Sequence, residues 1–227
     1  YPYLPAHIPF AELSGKSVLE VGLGYGTISQ KIAASGADYQ GLDIAQGPVD
    51  MVNLRLKRLG NSGQAQLGNI LDAPYEDESF DWVIAIGCLH HTGDLARAID
   101  EVHRVLKKSG QAMIMVYSAT SYRQFQRAPI ATFSRLMSKP KTKEATGTVR
   151  GNHAERLAYD TNKSGEAAPE TTYVSANELK HLCRGFSSCT ITRENIGQDG
   201  IFRPFTRPLA LTFAKYLGLD LYCSLRK

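Results

Sequence analysis

Short apolar runs alternate along this chain with stretches in which apolar residues recur every three to four positions, the contrast that separates buried strands from one-faced helices. Runs such as Trp82-Val83-Ile84-Ala85-Ile86 and Met113-Ile114-Met115-Val116 read as strand cores. The pattern predicts strands near 17–22, 38–44, 64–70, 80–89 and 111–118, and helices near 26–35, 47–60 and 94–108. The clearest helix runs from Asp94 to Lys108: Leu95, Ala98, Ile99, Val102, Val105 and Leu106 share a face, and Lys107-Lys108 would complement the carboxyl end of the dipole. Two late strands, Cys189 to Ile196 and Leu219 to Leu225, complete a count of seven. Strands alternating with helices predict an α/β fold, a doubly wound, mostly parallel sheet covered on both faces.

Regularity is expected to fail between Ser118 and Pro169, a stretch far longer than the ordinary connection of about 4 to 6 residues. Residues 119–170 therefore read as an inserted lid or acceptor-binding segment within a single 1–227 domain. It carries Tyr122-Arg123-Gln124-Phe125-Gln126-Arg127, Arg135-Leu136-Met137 and then Lys139, Lys141 and Lys143. A basic helix with interleaved aromatics could meet nucleic acid or a membrane surface, or bury its aromatic side as a lid; burial is the simpler reading. Arg156 to Asp160 and Gly165 to Pro169 are polar enough to line a pocket. Ile201 to Pro208, with the apolar helix expected from Leu209 to Leu217, forms a second candidate cover that could shape a pocket, contact another subunit or pack on the sheet.

Composition narrows the class. At 227 residues and 43% hydrophobic, the chain is long enough to bury a full core as one domain. It begins at Tyr1 instead of methionine, which points to a trimmed start. No apolar run approaches the roughly 18 to 20 residues of a membrane span and no signal peptide is visible, so a cytoplasmic location is expected. Cys88, Cys183, Cys189 and Cys223 show no Cys-x-x-Cys spacing; they read as reduced residues, with no disulfide frame and no metal site, and Cys88 falls inside an expected strand. Charge is split: residues 1–120 hold 9 Lys plus Arg against 13 Asp plus Glu, and residues 121–227 hold 17 against 9. The basic half is either a solvated surface or a cover suited to an anionic small molecule.

The chemistry concentrates in Val18-Leu19-Glu20-Val21-Gly22-Leu23-Gly24-Tyr25-Gly26-Thr27, an apolar strand running into a glycine turn that opens a helix. Asp43 follows 17 residues beyond Gly26, where a βαβ unit places an acid at the carboxyl end of its second strand. A carboxylate there can accept both hydroxyls of a ribose; alternatively it caps the next helix. The run Gly68-Asn69-Ile70-Leu71-Asp72-Ala73-Pro74-Tyr75-Glu76-Asp77-Glu78-Ser79-Phe80-Asp81 comes next, then Leu89-His90-His91 and Glu101 to Lys107. The ordered set Glu-x-Gly-x-Gly-x-Gly, Pro-aromatic-x-Asp-x-Ser-Phe-Asp, Leu-His-His and Glu-x-x-Arg-Val-Leu-Lys resembles the class I S-adenosylmethionine-dependent methyltransferases, in particular their small-molecule branch, over roughly Gly15 to Tyr117.

That resemblance implies a Rossmann-like, seven-stranded sheet whose last strand inserts antiparallel. It implies S-adenosylmethionine as methyl donor and S-adenosylhomocysteine as product. Gly22, Gly24 and Gly26 would admit the methionine and ribose portions, Glu20 would organise the ammonium, Asp43 would hold the ribose, Ile44 would face the adenine, and Ile70 would add a backbone amide and adenine packing. Asn69 departs from the aspartate common in the family but can still accept through its oxygen. His90 and His91 stand at the end of the fourth strand, where a base for a hydroxyl acceptor belongs, and His91 is the better candidate; the pair also reads as a structural turn. Tyr3, Tyr117 and Tyr159 are further candidates for the acceptor side.

The expected reaction is methyl transfer to a small-molecule acceptor, at oxygen in preference to nitrogen or carbon. RNA or protein methylation and a noncatalytic cofactor-binding module remain open. A nicotinamide-dependent oxidoreductase would share the first strand and Asp43 but calls for glycine where this chain has Thr27.

Overall fold

The structure is a computed structural model that describes residues 4–137, 149–150, 156 and 170–227. The expected alternation is present. Strands β1 (Ser17–Val21), β2 (Asp38–Asp43), β3 (Gln64–Leu67), β4 (Phe80–Ile86) and β5 (Leu106–Tyr117) are parallel neighbours in the order β3-β2-β1-β4-β5. A short antiparallel pair, β6 (Val149–Arg150) with β7 (Thr172–Tyr173), forms a second sheet, and Val174 just after β7 bridges to Ser118 just after β5. Strands β8 (Ser188–Glu194) and β9 (Asp220–Arg226) complete the sheet, β9 running antiparallel between β5 and β8. Seven strands in this order, with the last inserted antiparallel, are the arrangement the resemblance implies.

Strand alternation assigns the two faces. Leu19 and Val21 of β1 join Val83 and Ala85 of β4 on the face covered by α4 (Leu95–Val105), whose Leu95, Ala98, Ile99, Val102 and Val105 are all buried there. Val18, Tyr39, Ile84, Met113 and Met115 point the other way, beneath Ile32 of α2 (Thr27–Ala34) and Val49, Val52 and Leu56 of α3 (Gln46–Arg58). A third cluster, Tyr122, Ile196, Phe202, Ala210, Ala214 and Leu219, lies under the cover segments.

Several boundaries differ from expectation for identifiable reasons. The helix from Asp94 stops at Val105, with Asp94 as its cap accepting from the Arg97 amide at 3.0 Å. Leu106 is extended and pairs with Phe80, so Lys107 and Lys108 belong to β5, not to a helix end. β4 ends at Ile86 because Gly87 turns with φ of 77°, which places Cys88 beyond the strand. β3 stops at Leu67, and Asn69 caps a 3-10 turn at Ile70–Asp72 by accepting from the Leu71 amide at 3.0 Å. The expected helix from Leu209 to Leu217 is two short ones, Arg207–Leu211 and Ala214–Leu217. In the expected lid, α5 (Tyr122–Arg127) and α6 (Pro129–Met137) are regular helices. Lys139, Lys141, Lys143, Tyr159, Asp160, Gly165 to Pro169 and Tyr3 lie outside the described residues.

The Pro74–Asp81 motif serves the end of the sheet where β4 begins. Asp81 Oδ2 accepts from the Ser17 amide at 2.9 Å and the Ser17 hydroxyl at 2.7 Å, and pairs with Lys107 Nζ at 3.0 Å, tying the starts of β1, β4 and β5 together. Arg104 on α4 donates to the carbonyls of Ala73 and Tyr75 and pairs with Asp77 and Glu101. Burial works against ionisation of Asp81, but the Ser17 bonds and the Lys107 charge outweigh it and hold its pKa down at about 2. A depressed carboxylate contributes stability that is present above its unfolded value near 3.8 and disappears as pH falls toward 2. Asp81→Asn is expected to destabilise the protein by about 0.5–1 kcal/mol at neutral pH, the range of a solvent-accessible ion pair. Thermal melts should show that deficit shrinking between pH 4 and pH 2; a deficit independent of pH would reject the assignment.

Candidate active site

The strand order turns back between β1 and β4, and a parallel sheet opens a crevice at such a point beyond the carboxyl ends of its strands. There the structure has a cavity of about 360 Å³, walled by the ends of β1 (Val21, Gly22, Gly24), β2 (Leu42, Asp43, Ile44), β3 (Gly68, Asn69, Ile70) and β4 (Ile86, Gly87, Cys88), with His91 and Thr92 beyond. Seven of the residues expected at the site therefore meet around one space: Gly22, Gly24, Asp43, Ile44, Asn69, Ile70 and His91.

Asp43 organises this wall. Its Oδ2 accepts the Leu23 amide at 2.7 Å and its Oδ1 accepts the Ala45 amide at 2.9 Å, so one carboxylate fixes both the glycine turn and the approach to α3. It is not the cap of α3; that position is Ala45, with no side-chain cap. Each carboxylate oxygen retains a second lone pair for a ligand hydroxyl. Ile44 beside it is 74% exposed, an apolar side chain held at the mouth of the cavity with its surface uncovered. Gly22 is required twice over: φ is 76°, and a Cβ there would lie 2.3 Å from Cys88 Cβ.

Two expected residues stand back from the cavity. Gly26, in the left-handed region at φ of 73°, caps α2, and a Cβ on it would meet Val52 and Arg55 of α3 at 3.0 and 3.1 Å. Its positive φ and the close approach of α3 both favour glycine at this position. Glu20 is 2% exposed and its carboxylate accepts the Tyr39 hydroxyl at 2.7 Å. Burial pushes its pKa up to about 7, against the lowering effect of the Ser29 and Tyr39 hydroxyls, and the Asp43 charge adds to the rise.

The histidine pair separates. His90 is fully buried, its ring 4.1 Å from those of His91 and Tyr117, with neither ring nitrogen hydrogen-bonded, and burial followed by the His91 charge drives its pKa far down. It is a neutral interior group. His91 lines the cavity, with Nδ1 2.7 Å from the Glu170 carbonyl oxygen and 3.3 Å from the Thr171 hydroxyl. A carbonyl only accepts, so Nδ1 carries the proton and Nε2 is the basic nitrogen of the neutral ring. Tyr117 does not reach the cavity wall; it packs against His90 and Tyr173. Cys88, expected inside a strand, instead lines the cavity with Sγ 3.0 Å from the Val21 carbonyl, and burial pushes its thiol far up into the neutral form. The signal available in the sequence was Gly87, which marks the end of β4.

Comparison with known proteins accounts for this arrangement. Residues 19–114 match the family described as "Methyltransferase domain". Over those residues, fewer than half of its length, the chain is similar to the class I S-adenosylmethionine-dependent methyltransferases. The match covers β1 from Leu19 onward, β2, β3, β4 and most of β5 and, with them, every residue that lines the cavity. The chain is 28% identical over 131 residues to a demethylmenaquinone methyltransferase of Tropheryma whipplei, covering 55% of this chain and 54% of that one. It is 34% identical over 102 residues to a ubiquinone biosynthesis O-methyltransferase of Pseudomonas syringae pv. tomato, covering 44% of each. It thus spans about half the length of the curated relatives it matches. A solved S-adenosylmethionine-dependent methyltransferase from Mesorhizobium loti superimposes with a TM-score of 0.64 at 16% identity, over 100% of this chain and 96% of that one, which shows the fold.

Within the matched stretch, Glu20 has a measurable signature. A carboxyl whose pKa is raised from 4.5 to about 7 contributes stability that is whole below pH 4.5 and is lost as pH rises through 7. Glu20→Gln, which can still accept from Tyr39, should flatten the melting temperature of the ligand-free protein between pH 5 and pH 8. The wild type should lose on the order of 2–3 kcal/mol across that window. Equal pH slopes in both proteins would reject the buried-acid assignment.

Proposed function

We propose that this protein transfers a methyl group from S-adenosylmethionine to a hydroxyl of a small-molecule acceptor. The observation that carries the reading is the tautomer of His91: a cavity-lining imidazole whose Nδ1 proton is committed to the Glu170 carbonyl and whose Nε2 is thereby the basic nitrogen. The cofactor supplies an electrophilic methyl carbon when bound. The residues of this chain fit it: Asp43 accepts the ribose hydroxyls, Ile44 covers the adenine, Asn69 and Ile70 meet its edge, and Gly22 and Gly24 leave room for the chain beyond the ribose. Glu20, behind this wall, acts on the cofactor's ammonium through the intervening structure and not by direct contact.

The proton of an acceptor hydroxyl goes to His91 Nε2, while the apolar wall of Val21, Leu42 and Ile86 excludes water and aligns the in-line approach, an effect worth up to about 7 to 11 kcal/mol in favourable cases. One relative is named a demethylmenaquinone methyltransferase and the other a ubiquinone biosynthesis O-methyltransferase; both names support a quinone-type ring compound as the acceptor class, and the second supports a hydroxyl on it. An anionic acceptor is favoured by the basic second half and by Arg193, a guanidinium depressed by burial that donates to Ser118 Oγ at 2.9 Å near the carboxyl end of β5. We place the acceptor cover in the 119–170 segment.

Asp43→Ala should weaken S-adenosylhomocysteine binding by at least about 30-fold in calorimetry, corresponding to about 2 kcal/mol of lost charged hydrogen bonding. Circular dichroism on the same sample checks the fold, and near-normal affinity would reject the ribose assignment. In assays with labelled methyl donor over a panel of phenols and reduced quinones, His91→Ala should lower kcat by about 100-fold or more while leaving cofactor affinity within about twofold. Unchanged turnover would return His91 to a structural role. Binding of NADH in place of S-adenosylhomocysteine would overturn the reading as a whole.

A further inference from the structure

Sheet pairing brings three of the four cysteines together, although their positions in the sequence show no ligand spacing. Cys189 lies on β8, Cys223 on β9 and Cys183 at the end of the helix Ala176–Leu182. In the antiparallel register Cys189 faces Leu225 and Ile191 faces Cys223, so the two strand cysteines are diagonal neighbours on one face of the sheet. Their sulfurs are 3.3 Å apart, and all three sulfurs lie within 4.8 Å of one another. Cys183 and Cys223 are buried at 1% and 0% exposure, and Cys189 is partly exposed, giving an ion a way in. None of the three lines the cofactor cavity.

We infer that Cys183, Cys189 and Cys223 form a binding site for one thiophilic d10 cation, Zn2+ or Cu(I). Three thiolates held at about 2.3 Å from a common ion stand about 4 Å apart, close to the spacing of the three sulfurs in the structure. A disulfide asks for something else: Cβ atoms about 3.8 Å apart, whereas diagonal positions on paired strands have Cα atoms about 7–8 Å apart, so bonding Cys189 to Cys223 would require the strands to shift. The donor set is purely thiolate, since no histidine or carboxylate joins the group among the described residues, and such a set selects soft ions over Mg2+ or Ca2+. Each thiol that binds releases its proton to solvent. Three thiolates complete a trigonal Cu(I) site; for Zn2+ a water takes the fourth position. Lys180, one turn before Cys183, acts electrostatically on Cys189 and offsets part of the resulting negative charge. The bound ion would clamp the helix Ala176–Leu182 to the β8–β9 edge, a structural cross-link separate from methyl transfer.

The test uses the whole reduced chain under anaerobic conditions, titrated with Zn2+ and, separately, with Cu(I) against chromophoric chelators, with native mass spectrometry to count ions. The expected result is one ion per chain with submicromolar affinity, a melting temperature that rises with metal, and an affinity about 100-fold weaker in Cys189→Ser, the substitution at the partly exposed position. Iodoacetamide labelling of the wild-type protein is the second readout and does not depend on a variant folding: Zn2+ should slow alkylation of Cys189 by about tenfold or more. Absence of stoichiometric binding, unchanged affinity in Cys189→Ser, unprotected alkylation, or a Cys189–Cys223 disulfide formed on mild oxidation in a protein that binds neither ion would each overturn the inference.

Discussion

The two hydrogen bonds that the Asp43 carboxylate accepts from the Leu23 and Ala45 amides hold the site together. They join the glycine turn after β1 to the end of β2, setting the width of the crevice that the sheet leaves at its switch point. Leu23 is buried, and a buried backbone amide without a partner is costly, so the turn has few alternatives. The same carboxylate keeps lone pairs for a ligand, which makes one side chain both the brace of the cavity and its polar recognition group. Gly22 is the steric counterpart: Cys88 approaches so closely that only a residue without a side chain allows β1 and the end of β4 to meet.

The familiar motifs divide between two ends of the sheet. The glycine turn, Asp43, Asn69 and His91 gather at the carboxyl ends of the parallel strands and form the cavity. The Pro74–Asp81 motif, with its partners Ser17, Arg104 and Lys107, works at the opposite end, where it ties strand starts and the preceding turn to α4. It carried the resemblance without contributing a residue to the cavity. Sequence specificity and chemical participation are therefore separate properties of a motif, because a fold needs its strands anchored as much as its ligand bound.

The same separation explains what the sequence left unresolved. His90 and His91 are adjacent and chemically identical in the sequence, yet a single 3-10 turn sends one ring into the interior and the other to the cavity wall. Gly26 belongs to the glycine run by spacing but serves the approach of α3. Glu20 sits two residues before the first glycine, and strand alternation turns its side chain to the Tyr39 side, where burial keeps its affinity for a proton high. Each outcome depends on a neighbour distant in sequence, and periodicity carries no information about such neighbours.

The sequence by itself determined the α/β alternation, the apolar face of α4, and the glycine turn followed by Asp43, because these depend on local periodicity and on backbone conformations that few residues adopt. It also carried the resemblance that named the methyl donor. The tertiary structure decided which of those residues share a cavity, which tautomer His91 adopts, and that Cys183, Cys189 and Cys223 converge. Those facts arise from strand register and from contacts across 34 or more positions, such as Cys189 with Cys223 and His91 with Glu170, and they are fixed only when the whole sheet closes.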